Sequence, residues 1–441
     1  MRNALLASLM AGAFLSLNAQ AADLLEVYRE ALVNDAPYAS ARASLAAGRE
    51  RETQGRAGLL PTVGVTGNYS RNSLDLTTAG VSASRTYNSS GYTVSLSQPL
   101  FRLANWETYQ QGKLSVAVSE AQFAQAQQDL IVRVAQAYFD VLASQDALAS
   151  VQAQKIAITE QLAAAKRNFE VGTATITDTH EAQSRYDLVI SQEIAAQNDL
   201  QIKRTALQQI IGKPPVELAP LAPRVKLNAP EPTTIDKWVE SAETQNYSVV
   251  GSKLALEIAQ REIKRNRAGH YPTLELVASR NHTNQGTSAS ISSLAGNTSD
   301  TNSIGVQLAI PVFSGFSVDS KVRESIALED KARADLENAR RVAAQGARQA
   351  FLGVNAGLAQ VRALEAAEVS SKSALDSNRL GYQVGVRINI DVLNAQQQLY
   401  STQRDLAKAR YDTIVNGLRL KSAAGTLKEE DLVRINALLK H

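Results

Sequence analysis

The chain states one pattern twice, and that repetition limits its folds more than any other feature. Ala57-Gly58-Leu59-Leu60-Pro61-Thr62 returns as Ala268-Gly269-His270-Tyr271-Pro272-Thr273, and Gln98-Pro99-Leu100-Phe101 returns as Ile310-Pro311-Val312-Phe313. Phe169-Glu170-Val171-Gly172 returns as Tyr382-Gln383-Val384-Gly385, and Ile211-Gly212 as Ala424-Gly425. The offset holds at 211–213 residues, so two related units stand in tandem with few insertions. Each unit mixes two short alternating strands with very long helices.

The strands alternate cleanly. Val63, Val65, Gly67 and Tyr69 fall on one side of the first, against Thr62, Thr66, Asn68 and Ser70. Tyr92, Val94 and Leu96 alternate with Thr93, Ser95 and Ser97; Leu274, Leu276 and Ala278 with Glu275 and Ser279; Ile304, Val306, Leu308 and Ile310 with Gly305 and Gln307. Strands of about 8–11 residues have the length that a tilted strand needs to cross a bilayer. Each pair closes on a polar loop, Asn72–Ser90 and Asn281–Asn302, and Tyr69, Tyr87, Tyr92, Tyr271 and Phe313 lie near strand ends, where an interfacial girdle would sit. A soluble sheet with one wet face fits the same alternation. Four strands do not close a barrel, and lipid does not tolerate an open edge. In a membrane, several chains must therefore pool their strands, and three copies give about 12.

From Leu103 to about Asn168, and again from Val318 to about Leu380, the chain has no proline and little glycine. Such a run spans roughly 100 Å as one helix. Leu114, Ala117, Ala121, Ala124, Ile131, Ala135, Tyr138 and Leu142 keep a seven-residue rhythm, which Leu399, Leu406, Ala409, Leu420 and Ala423 continue. Shorter helices are expected over Leu24–Ala57, Thr177–Ile210, Ile235–Ala268 and Ile390–Ala423, two of them stacking to match one long helix. The helices alone also fit a plain soluble coiled coil. Val171-Gly172-Thr173 and Val384-Gly385-Val386 stand where a long helix must reverse into a short one, and glycine permits that turn. Pro61, Pro99, Pro272 and Pro311 mark the helix–strand junctions, and Lys213–Pro232 holds six of the eleven prolines.

Arg2, the apolar run Ala4–Leu17 and Ala19-Gln20-Ala21 form a Sec-type signal peptide with cleavage expected after Ala21. Absence of cysteine fits export. The net charge of +3 becomes +2 without Arg2, a balance that calls for no nucleic acid or other polyanion. No mature segment has about 20 consecutive apolar residues, so no membrane-spanning helix is expected. The boundaries follow: leader 1–21; first repeat 22–212 with strands at about 62–73 and 90–99; linker 213–232; second repeat 233–425 with strands at about 273–284 and 303–311; and a C-terminal segment 426–441 containing a small amphipathic helix. The histidines, His180, His270, His282 and His441, form no metal-spaced pair, and no nucleotide-binding or hydrolase motif is present. Neither an enzyme nor a cofactor is expected.

Taken together, the leader, the tandem halves, the proline-bounded strand pairs and the Phe-x-Val-Gly and Tyr-x-Val-Gly tips resemble the TolC family of outer-membrane efflux proteins. The phrases Gly172-Thr173-Ala174-Thr175-Ile176-Thr177-Asp178, Asp391-Val392-Leu393 and Lys421-Ser422-Ala423-Ala424-Gly425-Thr426-Leu427 strengthen the likeness. It covers nearly the whole mature chain. The resemblance implies an α+β membrane protein: a homotrimer whose 12-stranded outer-membrane β-barrel, four strands per chain, continues as a long periplasmic α-helical barrel with a small mixed equatorial region. It implies outer-membrane lipid around the strands, and docking to a periplasmic adaptor protein and an inner-membrane RND or ABC transporter, for drug efflux or type I protein secretion. A non-conducting surface or periplasmic coiled-coil protein is the alternative.

The resemblance also assigns residues. Tyr382 would hydrogen-bond Asp178 within a subunit, and Arg387 would pair with Thr177 or Asp178 of a neighbour, holding the entrance closed. Asp391 would form an acidic ring, three like charges that attract cations. A second ring position, acidic in the family, is Asn394 here, which makes the entrance less acidic. Val171, Gly172, Val384 and Gly385 would touch the adaptor. Local chemistry offers other roles: Asp178 and Glu181 have the form of a helix cap, Asp391 complements a helix N-terminus, and the glycines serve the turn.

Overall fold

The computed structural model describes residues 21–78, 80–223, 225–286 and 296–440. All but the last residue of the expected leader, and the middle of the second polar loop, lie outside them. The helices are α1 (Leu24–Asn34), α2 (Ala36–Ala57), α3 (Leu103–Glu170), α4 (Ile176–Ile211), α5 (Ile235–Gln245), α6 (Tyr247–Arg267), α7 (Ser317–Gln383), α8 (Asn389–Ala423) and α9 (Glu429–Asn436); the strands are β1 (Thr62–Thr78), β2 (Val81–Phe101), β3 (Thr273–Gln285) and β4 (Asn297–Ala309). Contacts divide the chain into two units. One comprises Ala43–Phe123 and Val250–Ala339; the other comprises the chain up to Arg42, Ala124–Val249 and the chain from Arg340.

The first unit carries one antiparallel sheet in the order β1-β2-β3-β4. Paired residues point to the same side of a sheet, so the register shows what each face is made of. The rows Val63–Leu96–Ala278–Ile304, Gln98–Leu276–Val306 and Phe101–Leu274–Leu308 share one face, with Val65 and Val94 beside them. From Val94 to Phe101 this mostly apolar zone runs about 24 Å along β2. Thr62–Ser97–Val277–Gly305 and Thr66–Thr93–Asn281–Thr301 lie on the other, largely polar face. Val65 is 70% exposed and Ile304 78%, so the apolar face is uncovered in the single chain. β1 and β4 are the outer strands, and β4 is exposed along its whole length.

The first hairpin is longer than the sequence reading of 62–73 and 90–99, since β1 and β2 stay paired out to Thr78 and Val81. The residues taken for a polar loop are ladder residues. Their side chains pair across strands, Ser70 with Ser89 (2.7 Å) and Thr77 with Ser82 (2.8 Å), and a backbone ladder does not need apolar side chains. β4 starts earlier than expected, at Asn297, for the same reason. Pro99 does not end β2. The register shifts between Pro99 and Phe101, and that irregularity accommodates the missing N–H. In the same unit, Gly112 lets α3 close on α2: a Cβ there would stand 2.6 Å from the Arg51 carbonyl.

The second unit is helical. The helix expected over Leu24–Ala57 breaks at Asp35. Its N–H bonds the Ala31 carbonyl (2.8 Å) while its carboxylate accepts the Tyr38 N–H (2.8 Å) and pairs with Arg133 (2.7 Å). Pro37 follows in the first turn of α2, where its missing donor costs nothing. At the equivalent point Asn246 parts α5 from α6 and accepts the Ser248 N–H (2.9 Å). Of the α3 rhythm, Ala121 packs in the first unit, and Ile131, Ala135, Tyr138 and Leu142 are buried in this one. α7 and α8 pack along Val361 with Leu406 and Ala409, then Leu375 with Val392 and Leu399. Among its described residues the 213–232 segment forms no helix. It is held by backbone bonds from Ala219 to Ala22 (3.1 Å) and from Ala222 to Leu438 (2.9 Å). Among the described residues, no helix is long and apolar enough to cross a membrane.

Candidate channel entrance

The two long helices end in matching turns. After α3, Gly172 takes φ 78° and the Thr173 N–H bonds the Asn168 carbonyl (2.8 Å); after α7, Gly385 takes φ 79° and the Val386 N–H bonds the Gly381 carbonyl (2.9 Å). Nothing lies within 4 Å of a Cβ at either glycine, so the left-handed backbone, not crowding, selects glycine. Val171 and Val384 are exposed on these turns, as are Ile176, Val386 and Ile388.

The expected gate residues take unequal positions. Asp178 caps α4 from within: its Oδ2 accepts the Thr175 N–H (3.0 Å) and hydroxyl (2.8 Å), and its own N–H donates to Thr175 Oγ1 (3.3 Å). Thr177 is exposed beside it. The Tyr382 hydroxyl accepts from Asn168 Nδ2 (3.3 Å) rather than meeting Asp178, because the Asp178 carboxylate is engaged with Thr175. The ring of Tyr382 packs against Leu375, Val392 and Leu399. Arg387 reaches Asp391 at 3.6 Å, one turn along the chain. Exposed at 59% and 33%, that pair contributes little to stability. Asn394 accepts from Arg185. Asp391, Asn394 and Arg387 line one cleft of about 480 Å³ with Ser370, Ser371 and Asn378 of α7.

Three sets of contacts tie the repeats together beyond those expected from sequence. Asn389, 1% exposed, accepts from Gln161 Nε2 and donates to the Asp178 carbonyl (3.4 Å). Arg185 of α4 donates to Asn394 and Gln397 of α8. Farther along, Tyr411 of α8 donates to Asp146 Oδ2 of α3 (2.7 Å). Burial raises the Asp146 pKa against the opposing effect of this hydrogen bond, and burial together with the Asp146 charge pushes the Tyr411 phenol far up. Each contact joins residues more than 200 positions apart, so no local pattern announces it.

Residues 27–213 and again 238–426 match the family described as Outer membrane efflux protein. The chain belongs to that family. This outer-membrane efflux protein is 34% identical to the outer membrane protein TolC of Vibrio cholerae over 420 residues, 95% of this chain and 94% of the relative. It is also 34% identical to the alkaline protease secretion protein AprF of Pseudomonas aeruginosa, over 97% of this chain and 90% of the relative. Among solved structures, the outer membrane protein VceC of Vibrio cholerae superposes with a TM-score of 0.78, at 18% identity, covering 91% of this chain and 96% of that one. The efflux protein therefore resides in the outer membrane, with the fold of a channel that contributes four strands per chain and a helical barrel. It serves as an outer-membrane exit duct for efflux.

Proposed function

We propose that three copies of this chain complete one conduit, a 12-stranded barrel in the outer membrane continued by a helical tunnel through the periplasm. The observation that carries this reading is the sheet: four strands, one apolar and uncovered face, and β1 and β4 at its two margins. An open edge in lipid leaves backbone groups unpaired at several kcal/mol each, so β4 of one copy pairs with β1 of the next. The apolar face meets lipid and the polar face lines the pore.

In this reading the boundaries are two repeats joined by the 213–232 linker, with α9 and the C-terminal segment forming the equatorial part. The turns at Val171-Gly172 and Val384-Gly385 receive a periplasmic adaptor protein, whose inner-membrane RND or ABC transporter supplies the energy. The names of AprF and of the proteases secretion protein PrtF of Dickeya chrysanthemi favour protein secretion as one cargo route, and drug efflux is the other. The chain itself catalyses nothing. Asp391 forms the acidic ring at the entrance. Tyr382, Asp178, Thr177 and Arg387 hold that entrance closed, Arg387 by exchanging its weak bond to Asp391 for Thr177 or Asp178 of a neighbouring copy.

Detergent-extracted protein in planar bilayers tests the reading. Trimers with a small, stable single-channel conductance are expected, and Arg387→Ser or Tyr382→Phe raises that conductance severalfold. A non-conducting coiled-coil protein would give no channels at all. Conducting wild-type trimers with unchanged values in both variants would remove these residues from the gate.

A further inference from the structure

We infer that Arg185 is a further gate residue, distinct from the tip links: it clasps α4 to α8 and places a positive charge beside the proposed Asp391 ring. The inference rests on the conduit reading above. Arg185 donates through Nη1 to Gln397 Oε1 (2.5 Å) and through Nη2 to Asn394 Oδ1 (2.9 Å). A planar guanidinium gripping two acceptors on one helix face is a directional link, and its rigid fork loses little freedom in forming it. Asp391, Asn394 and Gln397 follow one another at i, i+3 steps, so they share a stripe of α8, with about 4.5 Å of rise between successive members. The clasp therefore closes within a turn or two of the ring carboxylate.

The acceptors are neutral, and that decides the electrostatics. An acid at position 394 would cancel the guanidinium charge. Asn394 binds it without cancelling it, and among the described contacts the Arg185 guanidinium meets no carboxylate. Three copies thus set three Arg185 cations next to three Asp391 anions, separated by about one screening length or less at 0.1 M salt. The neutral side chain of Asn394 and the charge of Arg185 act in the same direction, and together they weaken the attraction of the entrance for cations, multivalent ones most. α4 and α8 belong to different repeats, so opening the entrance by parting them must break the clasp.

Single-channel recording on the full chain, in about 0.1 M KCl where screening is weaker than in molar salt, separates the two roles. Arg185→Gln is expected to raise conductance about twofold or more and the potassium-to-chloride permeability ratio about threefold, with tighter block by lanthanum ions. Arg185→Lys keeps the charge but loses the fork, so conductance rises while the permeability ratio stays near wild type. Trimers on native gels confirm that each variant assembles. Unchanged conductance in assembled Arg185→Gln overturns the clasp, and an unchanged permeability ratio overturns the charge role. A wild-type protein that forms no trimers or no channels sinks the conduit reading itself, a different failure.

Discussion

The turns that open α4 and α8 descend from one ancestral sequence, yet they solve the same problem differently. At the start of α4, Thr175 and Asp178 form a reciprocal capping box. At the start of α8 the equivalent positions are Ile388 and Asp391, and Ile388 has no side chain with which to cap. The acid is retained, but its local partner is gone. Asp178 is spent on its own helix, whereas Asp391 makes only a loose pair with Arg387 and remains available to face a pore. α8 compensates with Asn389, which is buried and tied to Gln161 and to the Asp178 carbonyl; its counterpart in the first repeat, Ile176, is 47% exposed. One tip is stabilised within itself, and the other leans on it. Duplication thus permits a self-capped post and a leaf that depends on it to be cut from one pattern.

If that contrast is right, the most damaging single change at the tips is Asn389→Ala. It strips Gln161 of its acceptor and the Asp178 carbonyl of a donor, leaving a half-buried amide without that partner, at a cost of about 1–3 kcal/mol. Amide hydrogen exchange is the appropriate measurement, because the loss is local opening and not global unfolding. Exchange should accelerate roughly tenfold to a hundredfold at the start of α8 and in the turn around Gly385, with a smaller change around Gly172. Equal acceleration at both turns would contradict the post-and-leaf picture.

The caps give a paired test with smaller effects. Thr175→Ala removes the box from α4 and should cost about 1 kcal/mol, read as faster exchange over the first turn of that helix. Ile388→Thr supplies α8 with the cap that it lacks and should slow exchange there by about 0.5–1 kcal/mol. The gain has a functional consequence. A threonine at 388 would draw Asp391 into a capping box, take it from the proposed ring and lower cation selectivity. Slower exchange with unchanged selectivity would show that Asp391 does not face the conduit.

Much of this is legible in the sequence. Glycine at two tips 213 residues apart, proline at the junctions and period-two alternation are local signals, and local chemistry decides turns and strands. The hairpin extends past the expected strand ends because Ser, Thr and Asn, common in loops, pair across a ladder just as well. The break at Asp35 was also local, marked by Pro37, but the amphipathic run on both sides hid it. Asn389, Arg185 and Asp146 were not legible, since each acquires its partner only when helices of different repeats pack side by side.

The stems carry the same asymmetry in its mildest form. Asp146 on α3 holds Tyr411 on α8, while the residue related to Asp146 by the repeat is Ala359. Burial raises the Asp146 pKa, so the folded chain holds that proton more tightly than the unfolded chain does. Its contribution to stability is therefore greatest in acid, below the ordinary carboxylate value. It declines as pH rises from that value through the raised one, then stays level. Asp146→Asn keeps an acceptor for the Tyr411 hydroxyl and removes the titration. The thermal midpoint of the variant, compared with wild type, should be equal or slightly lower in acid and gain a few tenths of a kcal/mol in relative stability above the window. A difference between the two proteins that does not vary with pH would mean that Asp146 titrates alike in both states, and that the bond to Tyr411 fully offsets the burial of its charge.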